Sequence, residues 1–131
     1  MKVLVVDDEL VSRSKMKKIM ENFADCEEAE NGESAVSAVR NALESGNGYT
    51  MMTLDISMPD MNGVEVLKAV RSLEEEKGVE EDQKLRIMMV TSHHSEKHVL
   101  ESIKAGCDNF IVKPFNKETV KKRLVSMGFD L

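Results

Sequence analysis

Short β-branched apolar runs alternate along this chain with stretches in which apolar residues recur every three or four positions. Lys2-Val3-Leu4-Val5-Val6 is the first run and reads as a buried strand, closed by Asp7-Asp8-Glu9. Leu10, Met16, Ile19, Met20 and Phe23 then follow helical spacing. Asp25–Glu30 is a weak strand, and Glu27, Glu28 and Glu30 make it polar enough for a place near the sheet edge. Asn31-Gly32-Glu33 starts a second helix with Ala35, Ala38, Val39, Ala42 and Leu43 inward, and Ser45-Gly46-Asn47-Gly48 breaks it.

A central strand follows over about Thr50–Leu54 and ends in Asp55. Pro59, Asp60, Asn62 and Gly63 make a tight turn, and a third helix begins at Val64 with Leu67, Val70 and Leu73 on one face. The charged run Glu74–Asp82 reads as a solvated helix end and loop. Arg86–Val90 is the fourth strand and ends at Thr91. Val99, Leu100 and Ile103 mark a fourth helix ending near Gly106. Asn109–Val112 is the fifth strand, ending at Lys113-Pro114, and Val120, Leu124 and Met127 mark the last helix.

Five strands alternating with five helices predict an α/β fold with a parallel sheet covered on both faces, because parallel strands need helical crossovers. The length of 131 residues suits one domain spanning 1–131, with no output domain and no repeat or linker. A net charge of −6 argues against non-specific binding to nucleic acid or to an anionic membrane, and suits capture of a cation. The longest apolar runs have four residues, so no span crosses a bilayer, and Met1-Lys2 leads straight into a strand without a signal peptide. Cys26 and Cys107 lack any framework spacing and read as buried reduced thiols of a cytoplasmic protein. The ten methionines fall mostly on buried faces and read as core filling.

Chemistry collects at the carboxyl ends of the strands: Asp7 and Asp8, then Asp55, then Thr91, then Lys113. In a doubly wound sheet of order 2-1-3-4-5 the first and third strands adjoin at the switch point, where ligands bind. Singly, each residue has an ordinary use: Asp7 or Asp8 as a helix cap, Asp55 in a turn, Thr91 at a strand end, Lys113 at the surface. Jointly they crowd three carboxylates beside a hydroxyl and an ammonium. Crowded carboxylates need shared protons or a cation. Oxygen ligands with room for water suit Mg²⁺. A divalent ion with a lysine opposite forms a receptacle for a phosphoryl group, with Asp55 as its nucleophile.

Val3-Leu4-Val5-Val6-Asp7-Asp8-Glu9, Leu54-Asp55-Ile56-Ser57-Met58-Pro59-Asp60-Met61-Asn62-Gly63, Val90-Thr91-Ser92 and Lys104-Ala105-Gly106-Cys107-Asp108-Asn109-Phe110-Ile111-Val112-Lys113-Pro114-Phe115 resemble the receiver domain of two-component response regulators over nearly the whole chain. The resemblance implies a flavodoxin-like (βα)5 fold. It implies that Asp55 accepts a phosphoryl group from a phosphohistidine on a sensor histidine kinase. It implies Mg²⁺, or Mn²⁺ in its place, on Asp8, Asp55 and the backbone carbonyl of Ser57, with Asp7 acting through water. Lys113, next to a cis peptide to Pro114, would pair with the phosphoryl group. Thr91 and Phe110 would move as a switch, coupling the site to the surface of the fourth helix, fifth strand and fifth helix. Ser57, Ser92 and His93 would line the phosphoryl site.

Such a domain is a signalling switch that assists its own phosphorylation and dephosphorylation. It is expected to act as a monomer on a target protein, or to relay phosphate to a histidine phosphotransfer protein. Dimerisation on phosphorylation stays open, and no helix-turn-helix follows to bind DNA. His93 is expected to make the phosphoryl lifetime depend on pH near neutrality, and a flat dephosphorylation rate from pH 6 to 8 would count against that. His94 and His98 have metal-ligand spacing, but the one close third ligand, His93, points in another direction, and the histidines read as solvated. The basic run Lys117, Lys121, Lys122, Arg123 reads as favourable charge toward a helix C-terminus, with a partner-facing patch as the alternative.

A phosphohydrolase with an aspartyl intermediate competes with this reading. Asp7-Asp8-Glu9-Leu10-Val11 lacks the Asp-x-Asp-x-Thr pattern of such enzymes, and there is no cap domain. A flavin carrier of the same topology would need stacking aromatics, and the chain has no Trp and one Tyr.

Overall fold

The computed structural model describes residues 1–92 and 96–131. The elements are β1 (Lys2–Val6), α1 (Leu10–Met20), β2 (Asp25–Ala29), α2 (Gly32–Ser45), β3 (Met51–Asp55), α3 (Gly63–Glu76), a 3₁₀ turn (Glu81–Gln83), β4 (Arg86–Thr91), α4 (Glu96–Lys104), β5 (Asn109–Val112) and α5 (Lys117–Ser126). The strands form one parallel sheet of order β2-β1-β3-β4-β5, the flavodoxin-like arrangement. Val6 pairs with Leu54, Asp55 with Val90, and Thr91 with Val112. This register brings the carboxyl ends of β1, β3, β4 and β5 to one edge.

Alternation along the strands divides the core in two. Val3, Val5, Met51, Met88 and Ile111 face α1 and α5, meeting Met16, Met20, Val120 and Leu124. Leu4, Met52, Leu54, Ile87 and Met89 face the other way, toward Val39, Val66, Leu67 and Val70 of α2 and α3. Eight of the ten methionines are buried, so they are core filling, as their positions indicated. Cys26 and Cys107 are free and half-buried rather than fully buried. Burial, helped by Glu21, pushes the Cys26 thiol up to about 11, which leaves it protonated and unreactive at neutral pH.

Asparagine starts three of the helices. Asn31 accepts from the Ser34 amide, and Asn62 and Asn116 form reciprocal capping pairs with Glu65 and Thr119. Gly63, the first residue of α3, lies against the backbone of β3's end. A Cβ there would sit 2.4 Å from the Asp55 carbonyl oxygen and 2.8 Å from the Ile56 Cα. Only hydrogen fits, and the Gly63 amide donates to the Ile56 carbonyl at 2.9 Å. Gly63→Ala must push α3 from the strand that carries Asp55. The expected cost is about 3 kcal/mol by chemical denaturation, and a variant of unchanged stability would show that the contact yields freely.

Three residues that carry the helical spacing lie in the helices they mark but are not buried. Leu10 is 66 % exposed, Leu100 61 % and Ile103 53 %. α1 reaches the core only through its second half, and α4 is a short helix at the flank whose one buried residue is Ser102. One outward assignment fails. Glu74, read as part of a solvated run, is 1 % exposed. Its carboxylate accepts from Arg71 Nη1 at 2.7 Å and from the Leu85 amide at 2.7 Å. It lies seven residues after Leu67 and four after Val70, on the helix's inner stripe. The rest of the run, Glu75 to Asp82, is exposed apart from half-buried Val79. No helix among the described residues is long and apolar enough to cross a membrane.

Candidate functional site

Asp7, Asp8 and Asp55 offer carboxylate oxygens that all lie within 4.8 Å of one another. Asp7 and Asp55 are buried, at 5 % and 3 % exposure, while Asp8 faces outward. Asp7 Oδ1 accepts the Glu9 amide at 2.9 Å, and the Asp7 carbonyl accepts from Arg13 Nη1 at 3.0 Å. One Asp7 oxygen is thus committed to the turn into α1, while Oδ2 faces the cluster.

Lys113 extends over this cluster from the end of β5. Its Nζ is 3.4 Å from Asp55 Oδ1, 3.6 Å from Asp7 Oδ2 and 3.7 Å from Glu9 Oε1. The Lys113 amide donates to the Thr91 carbonyl at 2.8 Å, and the peptide to Pro114 is cis. Glu9 is a contact the sequence reading missed. Its signal was present as the third acid of Asp7-Asp8-Glu9.

Burial is the first cause that raises the Asp55 carboxyl, to about 7, with the Asp7 charge next. Lys113 opposes both, and Asp8 adds a smaller push upward. Burial works against the Lys113 ammonium, yet Asp55, Asp7 and Glu9 outweigh it and raise its titration. One ammonium cannot neutralise three carboxylates. The donor set is hard oxygen, partly buried and partly open, which fits Mg²⁺ or Mn²⁺; among the described residues it includes no thiolate or imidazole for softer metals.

Thr91 is 3 % exposed and its hydroxyl donates to the Ser92 carbonyl at 3.2 Å. Phe110, half-buried, packs against the α2/α3 side of the core, with the Arg123 guanidinium 5.6 Å from its ring centre. Between them lies a cavity of about 440 Å³, walled by Thr91, Val99, Leu100, Phe110 and Val112. Ser57 and Ser92 are exposed beyond the ends of β3 and β4. His93 and His94, and with them the pH-sensitive lifetime expected of His93, lie outside the described residues. His98 is half-buried, and its carbonyl accepts from Ser102 Oγ at 2.7 Å.

The sheet order, with acids and a lysine at its carboxyl edge, defines a CheY-like receiver class of α/β domain. A family model described as the response regulator receiver domain matches residues 3–125, and the chain belongs to that family. The chemotaxis protein CheY of Pseudomonas aeruginosa is 32 % identical over 126 residues, covering 95 % of this chain and 93 % of that one. A CheY homolog of Campylobacter jejuni is 36 % identical over 126 residues, covering 95 % and 89 %. Among solved structures, Vibrio cholerae CheY4 superposes with a TM-score of 0.79 at 29 % identity, covering 96 % and 97 %. Borrelia burgdorferi CheY, in a complex with CheX, BeF₃ and Mg²⁺, superposes at 0.83 with 26 % identity, covering 99 % and 90 %.

Proposed function

We propose that this chain is a stand-alone response regulator that accepts a phosphoryl group on Asp55 from a phosphohistidine of a sensor histidine kinase. The observation that carries this reading is the Lys113 ammonium, 3.4 Å from Asp55, above three convergent carboxylates. Attack by an Asp55 oxygen forms a P–O bond as the P–N bond to the donor imidazole breaks, and the imidazole keeps the electron pair and takes up a proton. Lys113 then pairs with a phosphoryl oxygen in place of Asp55's lost charge. Asp8 and Asp55, with the Ser57 carbonyl, would hold Mg²⁺, with Asp7 acting through water. The ion supplies charge neutralisation on the transferring oxygens.

Thr91 begins with its hydroxyl turned to the Ser92 carbonyl. Turning it to a phosphoryl oxygen vacates space beside the cavity, and Phe110 on the far wall can follow. That would carry the phosphorylated state to the α4, β5 and α5 surface. The output is a conformational state read by a target protein. Relay to a histidine phosphotransfer protein is the second use of the same chemistry, and a phosphoryl lifetime of hours would select it over a switch that resets in seconds to minutes.

Incubation with acetyl phosphate followed by intact-mass spectrometry tests the reading. A single phosphoryl adduct is expected with Mg²⁺ and none with excess chelator. An adduct independent of the metal, or no adduct in a protein shown to bind Mg²⁺, would reject it.

A further inference from the structure

The loop that joins β3 to α3 is pressed from outside by the first residue of α2. Gly32 is buried there. A Cβ on it would lie 2.9 Å from Met61 Cβ, 2.9 Å from Met61 Cγ and 2.9 Å from Val66 Cγ2. Among the described residues only Gly63, at the end of the same loop, is a more tightly packed glycine, and the others meet nothing closer than 3.6 Å. Met61 Cβ and Cγ sit next to the loop backbone, so they cannot swing clear as the tip of a long side chain could. Val66 is 0 % exposed on the inner face of α3. A methyl group at position 32 must therefore move backbone.

The loop, residues 56–62, is the part that can yield. α2 is 14 residues long, is begun by the Asn31 side chain on the Ser34 amide, and packs inward through Ala35, Val39 and Ala42. The loop has less to hold it. The Met61 amide donates to the Pro59 carbonyl at 2.7 Å, and Asp60 between them has a φ of 65°. That left-handed shape is one aspartate tolerates but that surrounding contacts must maintain. The turn before α2 also reaches the other side of the site, since the Asp7 amide donates to the Ala29 carbonyl at 3.2 Å. We propose that Gly32 and Met61 are positioning residues for the metal site. Their closed contact sets the path of the loop, and through it the place of the Ser57 carbonyl relative to Asp55. The proposal rests on the reading of this edge as a Mg²⁺ and phosphoryl site.

The three ligands differ in what fixes them. Asp55 ends a strand paired on both sides, opposite Val90 in β4 and beside β1. Asp8 lies in the turn whose start the Asp7 amide anchors. Ser57 belongs to no strand or helix, so its carbonyl goes where the loop's own contacts send it. Pressure at Met61, four residues on, moves that carbonyl while the carboxylates stay. Mg²⁺ demands near-ideal octahedral geometry at short range, so one displaced oxygen is enough to lower affinity. Residues behind a metal's ligands act on affinity in this way without touching the ion.

Calorimetric titration of the full chain with Mg²⁺ alone tests the proposal. Gly32→Ala is expected to weaken Mg²⁺ binding about tenfold. Loading by acetyl phosphate should fall with it at low Mg²⁺ and recover when Mg²⁺ saturates. Met61→Gly opens the same contact without crowding it and should weaken binding severalfold by itself. In that background, which lacks both Met61 atoms the new methyl would meet, Gly32→Ala should cost less than about twofold. Gly48→Ala, whose Cβ would meet nothing within 4 Å, should change nothing. Ala42→Gly loosens α2 further along and should lower stability while leaving Mg²⁺ affinity intact. Unchanged affinity in Gly32→Ala or in Met61→Gly would overturn the proposal, as would a matching loss in Ala42→Gly. An equal cost of Gly32→Ala in both Met61 backgrounds would overturn it too, because the pressure would then pass through Val66 and α3. A wild type that binds no Mg²⁺ would fail the metal reading itself, and that arm tells the two failures apart.

Discussion

Asp55→Asn is expected to abolish phosphoryl capture from acetyl phosphate and, in the same protein, to raise thermal stability above pH 7. The first effect is total because the nucleophilic oxygen is lost. The second follows from what burial does to the carboxyl. Its titration lies near 7 in the folded protein against an ordinary value of 3.8, raised first by desolvation and then by Asp7. A folded-state value above the unfolded one means that folding favours the protonated form. The stabilisation this confers is complete below about pH 4, falls as pH rises, and is gone above about pH 7. At pH 8 the native protein therefore carries an unfavourable buried charge that asparagine removes.

The size is large for one site. A shift of about three pKa steps corresponds to about 4 kcal/mol, and relaxation of the cluster brings the expected gain to about 3 kcal/mol at pH 8. In a domain of this size that is roughly 10 °C in Tm. At pH 4 the two proteins should melt together. Mg²⁺ should raise the wild type's Tm at pH 8 and do much less at pH 5, because the ion competes with the proton that Asp55 retains. Thermal melts of both proteins with chelator and with Mg²⁺, across pH 4 to 8, measure all of this. A difference that does not grow with pH, or a variant less stable at pH 8, would show that Asp55 is not the strained member of the cluster.

What the sequence disclosed and what it hid divide by the range of the interaction. β-branched runs and helical apolar spacing placed all five strands and five helices, because each pattern is local and repeats within its own element. The parallel order brought Asp7, Asp8, Asp55, Thr91 and Lys113 to one edge, and the structure gathers the three carboxylates within 4.8 Å of one another, with the ammonium on Asp7 and Asp55. Errors came where a neighbour overrode the pattern. Leu10, Leu100 and Ile103 keep helical spacing yet stay exposed, Leu10 at the start of α1 and the other two on α4, whose one buried residue is Ser102. Glu9 joins Lys113 only because the turn after β1 folds back. Glu74 hides a buried acid inside a run of charges, since composition pointed outward while helical phase pointed in.

Glu74 carries the second large expectation: Glu74→Ala should cost about 3 kcal/mol without changing phosphoryl capture. Its two oxygens accept from Arg71 and from the Leu85 amide, both at 2.7 Å, where Leu85 is 5 % exposed. Alanine strands that amide and takes one carboxylate from a guanidinium that also holds Asp108 at 3.0 Å and the Gly106 carbonyl. Arg71 thus ties α3 to the loops before β4 and β5, and Glu74 fixes Arg71. Glutamine does not repair the site, because its single acceptor oxygen can meet one donor while its amide group faces the other, so Glu74→Gln should cost about 1–2 kcal/mol. Denaturant titration and hydrogen exchange at Leu85 would read both variants. The network sits before β4, and Thr91 lies at that strand's far end, roughly 20 Å away. Loading by acetyl phosphate at a temperature where the variants stay folded should therefore match the wild type. Reduced loading at unchanged stability would mean that this end of the sheet sets the position of Asp55, and that Gly63 does not hold it alone.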